Sequence, residues 1–185
     1  MRGRDIKRYS YEWVGLWVII IPAGWTNEKR GGEKPTIFIE KTLQSLIKHL
    51  KQFEAKAIKR DDQGDYWWEL RHCAYYPEFE KEKVVWTPVN SEYSFTILPV
   101  GYYFLNSVFM VTGEDVKYFC SIFNSKLIRH YLTFIFSSEE NYTYASKENM
   151  QKIPIPPITT SDEPIVKQIE ALVDKILAAK KQNPP

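Results

Sequence analysis

The stretch from Arg60 to Trp86 carries the residue types best suited to recognising a ligand. It contains three of the six tryptophans, four further aromatic rings and several cations between them. One interpretation is a core of buried rings with charges at its rim. The other is a nucleic-acid surface, on which cations contact phosphates or guanine edges and rings stack on bases. The residues alone leave both interpretations open.

Catalytic patterns are weak by comparison. A restriction-type nuclease needs a metal-binding carboxylate followed by Glu/Asp-x-Lys on the next strand. Two triplets match, Glu54-Ala55-Lys56 and Asp115-Val116-Lys117, but both lie in predicted helices and neither follows a Pro-Asp pair at a suitable distance. The histidines share no spacing typical of a metal site or a catalytic triad: His49, His72 and His130. The sequence therefore predicts no catalytic residue and no metal site.

Composition indicates a folded chain with little net charge. The 185 residues are 44% hydrophobic and 15% aromatic, which is far from a disordered composition. A net charge of +2 and a pI near 8.4 give little support to DNA binding, so any binding surface must come from clustered cations. Cys73 and Cys120 are expected to be buried, reduced thiols, in a strand and a helix respectively.

The run from Trp13 to Ala23 is the most apolar segment. It is much shorter than the ~20 residues of a membrane-spanning helix, and it lacks the form of a signal peptide. It is predicted to be a buried strand. We therefore expect a cytoplasmic protein that does not contact a membrane.

Hydrophobic periodicity predicts the elements that must position the aromatic stretch. Strands are expected at Thr36–Glu40, at Val84–Trp86 and in three short pieces between Tyr93 and Thr112. An amphipathic helix is expected over residues 41–58, with its lysines facing solvent. A second helix follows a capping-box-like start at Thr112 and Asp115, with Leu127 on its buried face and with Asn124 and Lys126 outside that face.

The C-terminal part reads as a proline-rich strap followed by a helix. Prolines exclude helix over residues 153–158, and Ser161 begins a helix that runs to about Lys181. Its apolar residues recur with a coiled-coil-like spacing: Ile165, Ile169, Leu172, Ile176 and Ala179. This stripe should pack on its own domain or on a partner helix. The predicted fold is α+β, a mixed, mainly antiparallel sheet with flanking amphipathic helices and a C-terminal coiled-coil-like helix.

Four segments occur in an order that resembles one known family: GRDIKRY at 3–9, YWWELRHCAYY with FEKEKVVW at 66–86, FNSKL at 123–127 and IPIPPI at 153–158. They resemble the C-terminal target-recognition (specificity) domain of Taq I-like, type IIG restriction-modification enzymes and related adenine-specific DNA methyltransferases. The resemblance covers most of the chain. It implies that residues 1–12 form a basic junction, residues 13–160 the recognition domain and residues 161–185 the terminal helix.

The resemblance also implies what the chain binds. Its partners would be double-stranded DNA and a methyltransferase or nuclease domain in the same or another chain. S-adenosylmethionine and Mg²⁺ are expected only in the full-length enzyme, because Gly31-Gly32 is no cofactor loop and Asn183-Pro184-Pro185 lacks the aromatic residue of the catalytic motif. This chain would therefore be a non-catalytic part of a methyltransferase or restriction endonuclease.

The candidate DNA-binding residues fall into three groups. Base edges would be read by Arg60, Arg71, Lys81, Lys83 and Lys147. Stacking or phosphate contacts are assigned to Tyr142 and Tyr144, and phosphate contacts alone to Arg4, Lys7 and Arg8. The most family-like residues are assigned to packing: Trp67, Trp68, Leu70, Tyr75 and Trp86. The alternative function is a protein-interaction module that docks a partner through the terminal helix.

Overall fold

The computed structural model describes residues 1–88, 93–135 and 145–183. Contacts divide the chain into two compact units. The helical unit is Trp17–Tyr76, and the sheet unit combines Met1–Leu16 with Pro77–Pro185. The expected functional division into a junction, a recognition domain and a terminal helix stays a prediction.

The strands and helices of the described residues have the following bounds. The strands are β1 (Ile6–Lys7), β2 (Ser10–Tyr11), β3 (Lys83–Trp86), β4 (Thr96–Leu98) and β5 (Phe109–Thr112). The helices are α1 (Trp25–Lys29), α2 (Pro35–Thr42), α3 (Gln44–Leu50), α4 (Glu54–Ala57), α5 (Tyr76–Phe79), α6 (Val116–Phe123), α7 (Lys126–Ile135), α8 (Lys147–Met150) and α9 (Glu163–Gln182). Short 3₁₀ turns occupy Gly3–Asp5 and Lys51–Phe53.

The sheet unit is built around β3, which lies between β4 and β5 in an antiparallel sheet. Val84 pairs with Ile97 on one side and with Val111 on the other. β1 and β2 form a second, two-stranded antiparallel sheet. Together with the helices, these sheets confirm the predicted α+β class and the predicted strand at 84–86.

Both faces of β3 are covered by apolar side chains. Side chains alternate along a strand, so Val84 and Trp86 enter one cluster with Phe95 and Phe123. Val85 points to the opposite face and packs with Leu98. All four residues of β3 are consequently buried, including the lysine with which it begins.

The C-terminal helix α9 packs against α6 of the same unit. Its buried positions are Val166 and Val173, and Lys117 forms an ion pair with Asp174 at 2.8 Å. The predicted stripe is not the face that packs on its own domain, because three of its members are exposed: Ile165, Leu172 and Ile176. Its packing on a partner helix stays a prediction. The buried positions lie about one residue further along, which rotates the contact face by roughly 100° on a helix.

Three other segments differ from the predictions. Residues 36–40 are helical rather than a strand, because Pro35 occupies the first turn of α2 and only Ile39 is buried. The helix expected over 41–58 is broken at Leu43, which takes a non-helical conformation, and again at the 3₁₀ turn. Between Tyr93 and Thr112, two of the three expected strands are present, and residues 101–105 form none.

The apolar run that begins at Trp13 is not a buried strand. Its residues form no ladder, and Trp17 is 87% exposed. Cys73, also expected in a strand, lies in a coil and is half-buried, whereas Cys120 is buried in α6 as expected. Among the described residues, none of the helices combines the length and the apolar character needed to cross a membrane.

Candidate nucleic-acid interface

The aromatic stretch of the helical unit is organised by the buried carboxylate of Glu69. It accepts hydrogen bonds from the backbone N–H groups of Thr26 at 2.9 Å, Gly24 at 3.2 Å and Asp65 at 2.9 Å. Two of these donors lie at the start of α1, where a helix has N–H groups without internal partners. Burying a carboxylate is costly unless it is hydrogen-bonded in this way. Glu69 thus ties the aromatic stretch to α1.

Gly64 lets the chain approach this carboxylate. A Cβ atom on Gly64 would lie 2.6 Å from the Cβ of Glu69 and 2.7 Å from the carbonyl oxygen of Leu70. No side chain fits at these distances, so the turn that precedes Tyr66 requires glycine. Sequence reasoning identified the turn but missed Glu69, for which the only signal was an acidic residue inside an apolar segment.

Arg60 bonds to the backbone of the segment that contains Trp67 and Glu69. Its Nη2 donates to the carbonyl oxygens of Trp67 at 2.8 Å and Glu69 at 2.9 Å, and its Nε donates to Ala57 at 3.1 Å. These bonds join the end of α4 to the segment that contains Trp67 and Glu69. Arg60 was predicted to read a base, but its guanidinium is committed to the fold.

The tryptophan pair is fixed by this network and by its own ring contacts. The indole Nε1 of Trp68 donates to the Thr26 hydroxyl, and Tyr66 stacks on the Trp68 ring at 4.9 Å between centroids. Trp67 meets Trp68 edge-on at 5.5 Å and is only half-buried. The packing role predicted for Trp68 fits its burial, whereas Trp67 also presents surface to solvent.

An open cleft of about 330 Å³ lies beside these rings, entirely within the helical unit. Its lining includes Leu50, Phe53, Lys56, Arg60, Trp67 and Trp68. Phe53 is 48% exposed and has its ring centroid 5.7 Å from that of His49. The cleft therefore has aromatic walls and cations in its lining, a combination suited to stacking a planar group that carries negative charge.

Lys56 lines this cleft, and Lys48 and Lys59 lie in α3 and just after α4. All three lysines are exposed, and none of them forms an ion pair with a carboxylate among the described residues. Lys51, in contrast, pairs with Glu40 at 2.7 Å. The three unpaired lysines provide positive charge in this part of the chain that the net charge of the whole chain does not reveal. Sequence reasoning treated these lysines only as a solvated face.

Arg71 is the other predicted base-reading residue of the helical unit. Its side chain is 57% exposed and forms an ion pair with Asp62 at 3.2 Å. The pKa of Arg71 is raised chiefly by its hydrogen bond to Asp62. An exposed pair of this kind contributes little to stability and exchanges readily for another partner.

The sheet unit contains the basic residues of the chain's first strands. Arg4, Lys7 and Arg8 are exposed. The Nη2 of Arg8 donates to the carbonyl oxygen of Asn124 at 2.7 Å, and its guanidinium lies 5.7 Å from the centroid of the Tyr9 ring. Arg4, in the 3₁₀ turn, and Lys7, in β1, keep solvent-facing charges within four residues of each other, as a phosphate-contacting segment requires.

Lys83 does not lie at the surface. Its side chain is fully buried, and Nζ donates to three backbone carbonyl oxygens: Phe79 at 2.9 Å, Lys81 at 2.7 Å and Pro99 at 3.1 Å. Burial lowers the pKa of Lys83 to about 8. An ammonium that uses all three protons internally has none left for DNA. The predicted contact at Lys83 is therefore wrong, because both faces of β3 are covered.

The remaining candidates are dispersed. Lys81 is exposed and pairs with Glu78 at 2.7 Å, and Lys147 is exposed at the start of α8. Tyr142 and Tyr144 lie outside the described residues. Of the eight candidates within the described residues, Arg60 and Arg71 belong to the helical unit and the other six belong to the sheet unit.

Asn124 is a further departure from the sequence prediction. It was expected at the surface, but it is fully buried at the end of α6. Its Nδ2 donates to the carbonyl oxygens of Phe95 at 3.0 Å and Cys120 at 2.9 Å. Leu127, expected on the buried face, is 75% exposed, because the helix ends at Phe123 and restarts at Lys126. The FNSKL segment is thus a helix junction in which Phe123 and Asn124 are buried and Lys126 and Leu127 are exposed.

A comparison with models of protein families identifies the family to which this chain belongs. A model of the TaqI-like C-terminal specificity domain matches residues 1–155, which is most of the chain. The chain belongs to the TaqI-like C-terminal specificity domain family. No curated protein matches the chain. The specificity domain match spans both units and ends within the proline-rich strap, so it includes the cleft and the basic hairpin.

Among the described residues, no group of three His, Cys, Asp or Glu side chains is placed to hold a metal ion. Gly31 and Gly32 lie between α1 and α2 rather than after a strand, unlike the loop that cradles a nucleotide cofactor. The expectation that S-adenosylmethionine and Mg²⁺ belong only to the full-length enzyme stays a prediction.

Proposed function

We propose that this specificity domain reads the sequence of double-stranded DNA for a type IIG restriction-modification enzyme that methylates adenine. The catalytic groups, with S-adenosylmethionine and Mg²⁺, belong to a methyltransferase or nuclease part outside this sequence. Such an enzyme works in the cytoplasm. The family match over residues 1–155 carries this proposal. The aromatic cleft with Lys56 in its lining, and the unpaired lysines Lys48 and Lys59, support it with a physical means of binding DNA.

The proposed contacts follow from exposure and charge. Phosphates are contacted by the hairpin cations Arg4, Lys7 and Arg8 and by the helical-unit lysines Lys48, Lys56 and Lys59. Base edges are read by the exposed cations Arg71, Lys81 and Lys147. Tyr142 and Tyr144, which lie outside the described residues, make stacking or phosphate contacts. Arg60 and Lys83 are left out because their donors bond backbone carbonyls.

Sequence selection tests this function. The chain is incubated with a library of random duplexes at low salt, and bound DNA is recovered over several rounds. A recognition domain enriches one short motif, because each bidentate base contact contributes ~1–3 kcal/mol of discrimination. Recovery of DNA without any enriched motif would leave only non-specific phosphate binding and would contradict sequence reading.

A second function has its own structural support. The apolar face of α9 formed by Ile165, Leu172 and Ile176 is exposed, although α9 already packs on α6. Exposed apolar stripes with this spacing bind other helices. The chain would then be an interaction module whose lysines are solvated charges. Binding to a partner helix, abolished by Leu172→Asp and without any affinity for DNA, would favour this alternative.

A further inference from the structure

The cleft of the helical unit has features of a receptor for a single flat group. Trp68 is held by its bond to Thr26 and is stacked on one face by Tyr66, and Arg60 holds the backbone of Trp67. These hydrogen bonds and ring contacts all come from the helical unit itself. The cleft is therefore preorganised, which reduces the entropy lost when a ligand binds.

The size and lining of the cleft limit what it can accept. A volume of about 330 Å³ is near the lower end of the range for small-molecule sites, which is ~300–1,000 Å³. The lining offers only two charged side chains, Lys56 and Arg60, and the rest is aromatic or aliphatic. Such a lining holds a ring by stacking and offers few hydrogen bonds to its edge.

Charge identifies the class of ligand. Lys56 lines the cleft, and Lys48 and Lys59 are exposed nearby on the chain without ion pairs among the described residues. A flat apolar ring attached to a negatively charged backbone matches both the walls and these cations. An unpaired nucleotide combines these two properties, because its base stacks on aromatic side chains and its phosphates attract lysine.

We propose that this cleft binds an unpaired base of the DNA, with Phe53 and Trp67 contacting the base and Lys56 a flanking phosphate. This inference rests on the proposed DNA recognition and extends it. Enzymes that modify bases take the target out of the helical stack, so an unpaired base is available to a recognition domain of this class. The few polar groups in the lining make binding tolerant of which base is presented.

The test compares two duplexes of the same sequence, one fully paired and one with a single bulged 2-aminopurine. Fluorescence anisotropy gives the affinity of the chain for each. The chain binds the bulged duplex about fivefold or more tightly, in line with the stacking of one base on an aromatic residue. Phe53→Ala removes this preference, since Phe53 contacts the unpaired base.

Ile58→Ala is the matched control, because Ile58 is equally exposed but does not line the cleft. It keeps the preference for the bulged duplex. Circular dichroism verifies that each variant is folded. Trp67→Phe is a second variant of the cleft lining, and this change is conservative because it keeps an aromatic ring. Lys56→Ala weakens both complexes, since a phosphate contact is less sensitive to base pairing.

The outcomes separate this inference from the proposed function. Equal affinity for paired and bulged duplexes, or a preference that Phe53→Ala leaves intact, overturns the cleft as a base receptor and leaves duplex recognition standing. Binding of the bulged duplex without binding of the paired one supports the cleft and overturns duplex recognition. Binding of neither overturns both.

Discussion

The Trp68 indole donates a hydrogen bond of 3.0 Å from Nε1 to the hydroxyl of Thr26, a residue 42 positions earlier in the chain. The same segment is joined through Glu69 to the backbone at the start of α1. The aromatic stretch is therefore both a structural core and the support of a solvent-facing cleft. The core interpretation is confirmed for Trp68 and Trp86, which are buried, and the nucleic-acid surface stays a proposal for the residues that line the cleft.

Glu69→Ala should strongly destabilise the helical unit. The change leaves three backbone N–H groups without their acceptor, and each hydrogen bond to a charged group contributes ~1.5–3 kcal/mol. We expect the free energy of unfolding in urea to fall by about 3 kcal/mol or more. Glu28→Ala, at an exposed site of the same unit, is the control and should change it by less than ~0.5 kcal/mol. Equal effects of the two changes would contradict the role of Glu69.

Arg60 and Arg71 should respond differently to replacement by alanine. Arg60→Ala removes three hydrogen bonds to backbone carbonyls and should lower the free energy of unfolding by about 2 kcal/mol. Arg71→Ala removes one exposed ion pair and should leave it within ~0.5 kcal/mol. If Arg71 reads a base, this variant loses selectivity at one position of the selected motif. Unfolding caused by Arg71→Ala would instead make Arg71 a structural residue.

Lys83 gives the sheet unit a specific dependence of stability on pH. Burial lowers its pKa to about 8 from 10.5, so between these values the unfolded chain binds the proton and the folded chain does not. The free energy of unfolding from this group therefore rises with pH across that window, by about 3 kcal/mol at most, and is flat below it. Lys83→Met removes the contribution. The difference between wild type and variant, measured from pH 7 to 10.5, should rise accordingly; a flat difference would contradict the lowered pKa.

Alanine substitutions at two neighbouring residues of α9 should differ in their effect on stability. Val173→Ala creates a cavity against α6 and should cost about 2 kcal/mol, because Val173 is only 2% exposed. Leu172→Ala changes a side chain that is 57% exposed and should have almost no effect on the isolated chain. Thermal unfolding of the two variants measures this difference. A larger loss of stability for Leu172→Ala than for Val173→Ala would mean that the stripe predicted from periodicity is the packing face.

The sequence predicted elements with strong, local signals. The predictions of the strand at β3 and of the start of α9 were correct. The β-branched residues that favour the strand and the proline that favours the first turn of the helix both act over only a few residues. Thr36–Glu40 was misassigned for the converse reason. Its β-branched residues suggested a strand, but Pro35 starts a helix there and Ile39 alone anchors it.

The missed residues depend on contacts between distant parts of the chain. Lys83 looked like a surface cation, but β3 pairs with β4 and β5, Lys83 is buried, and one of its three carbonyl acceptors is on Pro99, 16 residues away. Asn124 and Glu69 likewise bond backbone atoms far away in the sequence. In the apolar run after Trp13, hydropathy alone predicted burial, but Trp17 and several neighbours are exposed. No local pattern distinguishes these cases.

The most direct test of DNA recognition is an anisotropy titration of a labelled mixed-sequence duplex at several salt concentrations. The logarithm of the affinity should fall linearly with the logarithm of the salt concentration, because each neutralised phosphate releases counterions. In a variant with Lys48, Lys56 and Lys59 changed to alanine, the slope should become shallower by about 0.9 for each lysine that contacts a phosphate. A chain that binds no duplex even at low salt, or whose slope is unaltered in this variant, would contradict the proposed interface.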